Sequence, residues 1–188
     1  MVSHQEIRLS GSGGQGLILG GIILAEAGII DGKNAVQSQS YGPEARGGAS
    51  KAEVIISSES IDYPKVEKAD LLLALTQVAY DKYITTLKDE GILVIDSSIK
   101  HNNDIPCKVV KVPIISTASE KIGKAMVANI VAIGAIQQLT SIVTKEALET
   151  AVLNRVPRGT EELNKKALME GYNLAIESTS SKAVNKIV

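Results

Sequence analysis

The chain has 188 residues, with 20 Lys and Arg against 21 Asp and Glu and a formal net charge of −1. That length suits one domain, and the balanced charge argues against a general nucleic-acid or membrane-surface binder, which would carry a basic excess. Hydrophobic residues make up 44% of the chain, with five Tyr and neither Phe nor Trp, so wholesale disorder is excluded, the core must be packed from Ile, Val, Leu and Ala, and stacking platforms for single-stranded bases are nearly absent.

Ile7 to Ser10 predicts a short strand that runs into glycines. Residues 17–30 have helical length and apolar character and stop at Asp31-Gly32, a glycine cap. Ala35 to Gln39 reads as a second strand, and residues 40–48, SYGPEARGG, as a loop by composition. Ala52 to Ser57 is a third strand, rich in β-branched residues. Asp70 to Thr76 has strand length, Tyr80 to Leu87 predicts a short helix, and Ile92 to Ile95 and Val109 to Val112 are further strands. Apolar runs alternating with helices indicate a parallel sheet covered on both faces. The expected fold is α/β, Rossmann-like and doubly wound, with a mostly parallel sheet, helices on both faces and a helical C-terminal extension. A single domain is expected, with a core over about 5–140 and the extension over about 141–188.

Thr117 and Glu120 have the spacing of a capping box. The segment KAMVANIVAIGAI, next in the chain, is apolar nearly all round, which marks a helix buried in its own core or against another subunit. Thr144 to Val156 and Thr160 to Ile176 predict two more helices, the second with Glu161 and Glu162 in its first turn, where the helix dipole favours carboxylates. Their Lys and Arg read as a solvated or inter-subunit face. From Ser178 onward a frayed end is expected.

One cysteine, Cys107, permits neither an internal disulfide nor the four thiolates of an iron–sulfur cluster, and reads as a small buried hydrophobe. His4 and His101 are the only histidines; both fall in polar, loop-like stretches and form no HExxH spacing. No metal site, no catalytic triad and no catalytic residue are therefore expected from this chain alone. The N-terminus lacks a signal-type apolar run, and the apolar stretches at 17–30 and 125–136 are shorter than a membrane span. A cytoplasmic protein is the expectation.

The strongest local signal is Gly11, Ser12, Gly13, Gly14, Gln15 and Gly16, which fits G-x-G-x-x-G between a strand and a helix. The glycines allow a tight turn and close backbone approach, and the helix start offers free N–H groups and partial positive charge to a phosphate or carboxylate. A dinucleotide site also needs an Asp or Glu at the end of the second strand. Here that strand ends near Gln39-Ser40, Asp31 comes too early, and Glu44 lies in the next loop. Alternatively, the glycines serve only to pack the helix tightly on the sheet.

In an open α/β sheet, ligands occupy the crevice at the carboxyl ends of the strands. The second loop would bring Tyr41, Glu44 and Arg46 there, with Gly42 also a candidate binding residue. Arg46 offers a planar fork for an anion, and Gly47 and Gly48 allow close backbone approach to a ligand or partner chain. The simpler alternative is an Arg46–Glu44 surface pair with Pro43 shaping a turn. Asn129, the one polar side chain inside its apolar run, either orients a loop at the sheet edge or is a core amide satisfied by nearby backbone. Asp96-Ser97-Ser98 either donates hydroxyls to an anion or caps the next turn of the chain, and Thr76 and Gln77 pose the same question.

The pair GSGGQG at 11–16 and QSYGPEARGG at 39–48 resembles the gamma subunit of the 2-oxoacid:ferredoxin oxidoreductases, the gamma domain of the pyruvate/2-oxoacid ferredoxin oxidoreductase family. The likeness continues through AEVIIS at 52–57, DLLLALT at 70–76 and ILVIDSS at 92–98, extends less distinctly to the helix around Asn129, and fades beyond about residue 140.

The resemblance implies a Rossmann-like accessory subunit of an enzyme that oxidatively decarboxylates a 2-oxoacid, forms an acyl-CoA and passes electrons to ferredoxin. It implies no cofactor bound by this chain alone. Thiamine diphosphate and iron–sulfur clusters would reside on other subunits, with coenzyme A as co-substrate and its end of the active site formed partly here. The implied partners are alpha and beta subunits, with a ferredoxin-like delta subunit as a further candidate, and ferredoxin through the complex; a homodimer is the candidate state of the isolated chain. Neither nucleic acid nor membrane is among them. Within the family the chain is most similar to the 2-oxoglutarate enzyme's gamma subunit; pyruvate, branched-chain 2-oxoacid and indolepyruvate versions are alternatives. A free-standing NAD(P)-binding oxidoreductase and a non-catalytic scaffold are the competing functions. A link to anaerobic metabolism enters only through the resemblance.

Overall fold

The computed structural model describes residues 4–39 and 49–184. Six strands form one sheet: β1 (His4–Gly11), β2 (Asn34–Gln39), β3 (Ser50–Ser57), β4 (Ala69–Ala74), β5 (Leu87–Asp96) and β6 (Lys108–Val112), in the spatial order β2-β3-β1-β4-β5-β6. β1, β4, β5 and β6 are mutually parallel. β3 runs against both of its neighbours, so the sheet is mixed, with β3 alone reversed. The reason is chain length. Only residues 40–49 separate β2 from β3, short of the dozen or so that a parallel crossover needs. His4, expected in a loop, opens β1.

Alternation along the strands feeds two cores. Ile7 and Leu9 of β1, Val54 and Ile56 of β3, and Leu71 and Leu73 of β4 enter one; Ile55, Leu72, Leu93 and Ile95 enter the other. The first core is covered by α1 (Leu17–Ile30), α3 (Ile114–Ser116), α4 (Ala128–Thr140), α5 (Lys145–Arg155) and α6 (Glu161–Val184). The second is covered by the short α2 (Gln77–Tyr83).

The bounds of α1 are those predicted. Its end is a Schellman turn: Gly32 adopts φ +73°, its N–H donates to Ile29 O, and Lys33 N–H donates to Gly28 O. The capping box is not formed. The chain is already helical at Ile114, so Thr117 N–H donates to Pro113 O, and Thr117 opens a π-helical turn over Thr117–Lys121. α6 also runs past the expected frayed end. The hydroxyls of Ser178, Thr179 and Ser180 bond back to carbonyls at Ala175 and Ile176, which keeps their polar groups within the helix. On the C-terminal helices Arg155 pairs with Glu26 of α1, and Lys121 pairs with Glu170 at 2.6 Å.

α4 is buried on nearly all sides because α6 crosses it with backbones in contact. A Cβ on Gly171 would lie 2.2 Å from Val131 O, and one on Gly134 would lie 2.5 Å from Leu168 O. Gly171→Ala should therefore force the helices apart and cost about 3 kcal/mol, read as a lowered urea midpoint. Tyr172, one residue on, buries its hydroxyl without a hydrogen-bond partner among the described residues, and burial with the nearby Glu149 and Glu146 pushes its pKa up to about 12. The folded state thus holds that proton more tightly than the unfolded chain, whose tyrosines ionise near pH ~10. Stability should be flat with respect to this group below about pH 10 and fall as the pH rises toward 12, and Tyr172→Phe should remove that loss while costing less than about 1 kcal/mol at neutral pH.

Candidate functional site at the carboxyl edge of the sheet

The parallel strands end together at Gly11, Ala74, Asp96 and Val112. Gly11 is the Cα partner of Ser50 in the antiparallel β1–β3 ladder, and Gln39 is the partner of Ala52. The glycine loop therefore leaves the sheet where the segment between β2 and β3 begins and ends. Tyr41, Gly42, Arg46, Gly47 and Gly48, with Pro43 and Glu44, lie outside the described residues. What the structure places is the pair of anchors, and both stand at this edge.

The glycine loop is a self-braced turn. Ser12 N–H donates to Gln15 Oε1 at 2.7 Å. Gln15 folds over Gly11, where a Cβ would meet Oε1 at 2.3 Å and Leu75 Cβ at 3.1 Å. Gly13 and Gly14 are exposed, and Gly14 sits at φ +87° with nothing within 4 Å of where a Cβ would point. Gly16 is the N-cap of α1 at φ +71°, ψ 22°, and no side chain caps the helix or places an acid in its first turn. Its first-turn N–H groups have no intrahelical acceptor and carry the positive end of the dipole.

α4 starts at the same place. Asn129, in its first turn, donates from Nδ2 to Gly16 O at 3.1 Å, and Val127, the N-cap of α4, supplies no side-chain cap. A 3-10 turn, Ala125–Val127, leads into α4, and Ala128 N–H donates to Ala125 O, so the free N–H groups at Gly16 belong to the start of α1, an arrangement that favours an anion. The Asn129 amide is only half satisfied by backbone: Nδ2 donates to the glycine loop, and Oδ1 is buried without a hydrogen-bond partner among the described residues.

The neighbouring polar residues hold structure. Asp96 is buried; Oδ1 accepts from Ser98 N and Oγ at 3.0 and 2.7 Å, and Oδ2 accepts from Ile115 N at 2.8 Å. Thr76 Oγ1 caps α2 through Ala79 N, and Gln77 exchanges hydrogen bonds with the Lys100 backbone. Asp31 accepts from Thr144 N and Oγ1 at 2.6 and 2.7 Å, joining the end of α1 to the start of α5. No acid ends β2, which closes on Gln39. The NAD(P) reading therefore has no ribose-binding carboxylate at the place it requires one.

Cys107 is partly exposed rather than buried, and desolvation pushes its thiol pKa up. A lone cysteine does not fit an iron–sulfur cluster, and among the described residues no three His, Cys, Asp or Glu gather as a metal site. Nor is any described helix long and apolar enough to cross a membrane. Cys107 lies in a groove of about 680 Å³ beside β6, whose lining includes no residue of the glycine loop.

One polar cluster escaped sequence reasoning. Arg8, buried between Ile7 and Leu9, donates from Nε to Glu53 Oε1 at 2.8 Å and from Nη2 to Val66 O at 2.5 Å, and its guanidinium lies 5.7 Å from the Tyr83 ring centroid. Tyr83 Oη in turn donates to Ala49 O at 2.9 Å, just before β3 begins. A charge alternating with core residues in β1, matched by Glu53 in the third strand, was the available signal.

These features define a Rossmann-like α/β domain whose carboxyl edge is built from backbone and the start of α1. The chain matches the family described as pyruvate ferredoxin/flavodoxin oxidoreductase over residues 6–174, and it belongs to that family. It is 52% identical over 178 residues to the 2-oxoglutarate synthase subunit KorC of Methanocaldococcus jannaschii, covering 93% of this chain and 95% of that one. Among solved structures it is similar to the gamma subunit of a keto/oxoacid ferredoxin oxidoreductase from Geobacter sulfurreducens, at 50% identity and TM-score 0.86, covering 94% and 99% of the two chains. The same fold recurs, at 21% identity and TM-score 0.82, within 32% of a longer chain of the 2-oxoglutarate:ferredoxin oxidoreductase from Magnetococcus marinus, a structure with 2-oxoglutarate, coenzyme A and succinyl-CoA bound; the likeness covers 94% of this chain.

Gly16 combines a left-handed backbone with a close contact, since a Cβ there would lie 2.7 Å from Asn129 Nδ2. Gly16→Ala should cost about 2 kcal/mol or more from both effects, seen as a lowered thermal midpoint of the isolated chain.

Proposed function

We infer that this chain is the gamma subunit of a 2-oxoglutarate:ferredoxin oxidoreductase, acting in the cytoplasm. The reaction is the oxidative decarboxylation of 2-oxoglutarate: carbon dioxide leaves, ferredoxin takes the electrons, and the thiol sulfur of coenzyme A receives the succinyl group. The likeness to the 2-oxoglutarate synthase subunit over 93% of the chain is what carries this reading. Thiamine diphosphate and iron–sulfur clusters would be supplied by alpha, beta and ferredoxin-like subunits, since this chain has no thiolate set to hold a cluster.

The contribution of this chain is the coenzyme A end of the site. Gly11, Ser12, Gly13, Gly14, Gln15 and Gly16 present backbone N–H groups and the uncapped start of α1 to the anionic part of the coenzyme. Tyr41, Gly42, Arg46, Gly47 and Gly48 join them from the second loop, with Arg46 as the planar cation. Neither set contributes a group that makes or breaks a bond. Their work is binding and orientation, which lowers the entropy cost of bringing the thiol to the acyl group.

The isolated chain should show no 2-oxoglutarate oxidation and no iron–sulfur absorbance, and affinity capture from native extract should bring down a thiamine-diphosphate-binding chain; capture without one would contradict the subunit assignment. In the assembled enzyme, Gly13→Val and Arg46→Ala should each raise KM for coenzyme A about tenfold with kcat changed far less, as expected for lost binding at an anion site. Unchanged KM in both, with assembly intact, would remove the coenzyme role and leave docking.

A further inference from the structure

We propose that Asn129 is a positioning residue for the glycine loop, acting through the carbonyl of Gly16 to fix the direction of the first N–H groups of α1. The ligand side of this proposal rests on the reading that the loop faces coenzyme A; the positioning itself rests on geometry alone.

Gly16 O accepts two hydrogen bonds. One comes from Gly20 N at 2.9 Å, the first bond of the helix; the other comes from Asn129 Nδ2 at 3.1 Å. A carbonyl oxygen has two lone pairs, and both are used. With φ +71° at Gly16 the chain reverses hand immediately before the helix, so the plane of this peptide decides where the next N–H groups point. Nothing in the loop itself holds that plane from outside the helix. Ser12 and Gln15 brace only the preceding turn.

The contact is close on both sides. Asn129 is 4% exposed, and its Nδ2 and Cγ lie 2.7 and 2.9 Å from where a Gly16 Cβ would stand. Asn129 Oδ1 is buried without a hydrogen-bond partner among the described residues. Burying that oxygen costs free energy that an apolar side chain would not incur. Among the described residues the one bond the amide makes is to the loop, and that bond distinguishes Asn129 from a packing residue. α4 is itself immobilised by the glycine crossing with α6, so the amide is carried on a rigid element and transfers that rigidity to the loop.

The test uses the assembled oxidoreductase carrying Asn129→Asp, which keeps the size and cannot donate when ionised, beside Asn129→Leu. Hydrogen exchange without coenzyme A should speed up about tenfold at Gly20, whose N–H donates to the carbonyl that Asn129 holds. KM for coenzyme A should rise about tenfold, with kcat and KM for 2-oxoglutarate within about twofold. If Asn129→Leu does not assemble, Asn129→Asp carries both readouts. Unchanged exchange would overturn the positioning role, whatever coenzyme A does. Faster exchange with an unchanged KM for coenzyme A, while Gly13→Val raises it, would overturn the proposal and leave the coenzyme reading standing. If neither Asn129 nor Gly13 variants move that KM, the coenzyme reading fails, and the ligand side of the proposal fails with it.

Discussion

The register that sets Gly11 opposite Ser50 is the constraint on which the rest depends. β1 is the one strand paired antiparallel on one side and parallel on the other. Through β4 it shares the carboxyl edge of the parallel set; through β3 it shares that edge with both ends of the 40–49 segment. A one-residue slip would turn Arg8 and Ser10 into the core now filled by Ile7 and Leu9. The buried Arg8–Glu53 pair, itself a direct partner pair in the ladder, penalises such a slip further, because separating it would leave a charge buried and unpaired.

A few polar side chains then join elements far apart in sequence at or near this edge. Asn129 ties α4 to α1, Asp96 ties β5 to the start of α3, and Tyr83 ties α2 to the entrance of β3. Each is buried, and each bonds to backbone rather than to another side chain across these joints. The exposed loop atoms, by contrast, belong to Gly13 and Gly14. The scaffold is rigid where it is hidden and bare where it meets the outside, which suits a domain that orients a ligand whose chemistry is done by other groups.

Much of this was legible beforehand for identifiable reasons. α1 could be bounded to the residue because its apolar run is closed by glycines at both ends, and its Schellman turn needs Gly32. The α/β class came from apolar runs alternating with helices. The reversal of β3 was hidden because a strand buried on both faces reads the same in either direction; only the short connection after β2 carried the information. The Thr117–Glu120 spacing misled because a cap is defined by where the helix begins, and it begins earlier, at Ile114. Asn129 could be singled out as the polar exception in its helix, but its partner lies 113 residues away, beyond any local pattern. Arg8 was passed over because one charge in a strand usually marks a solvated face; here Glu53, Val66 and Thr86 supply its partners.

The central claim is that backbone at the start of α1 faces coenzyme A, a ligand whose chemistry belongs to other chains. A structure of the assembled oxidoreductase with coenzyme A tests it most directly, through the separation between the first-turn amide nitrogens of α1 and the nearest coenzyme phosphate oxygen. The account predicts hydrogen-bonding separations, about 3 Å. A coenzyme seated elsewhere, with residues 11–16 packed against a neighbouring subunit's backbone, would contradict it.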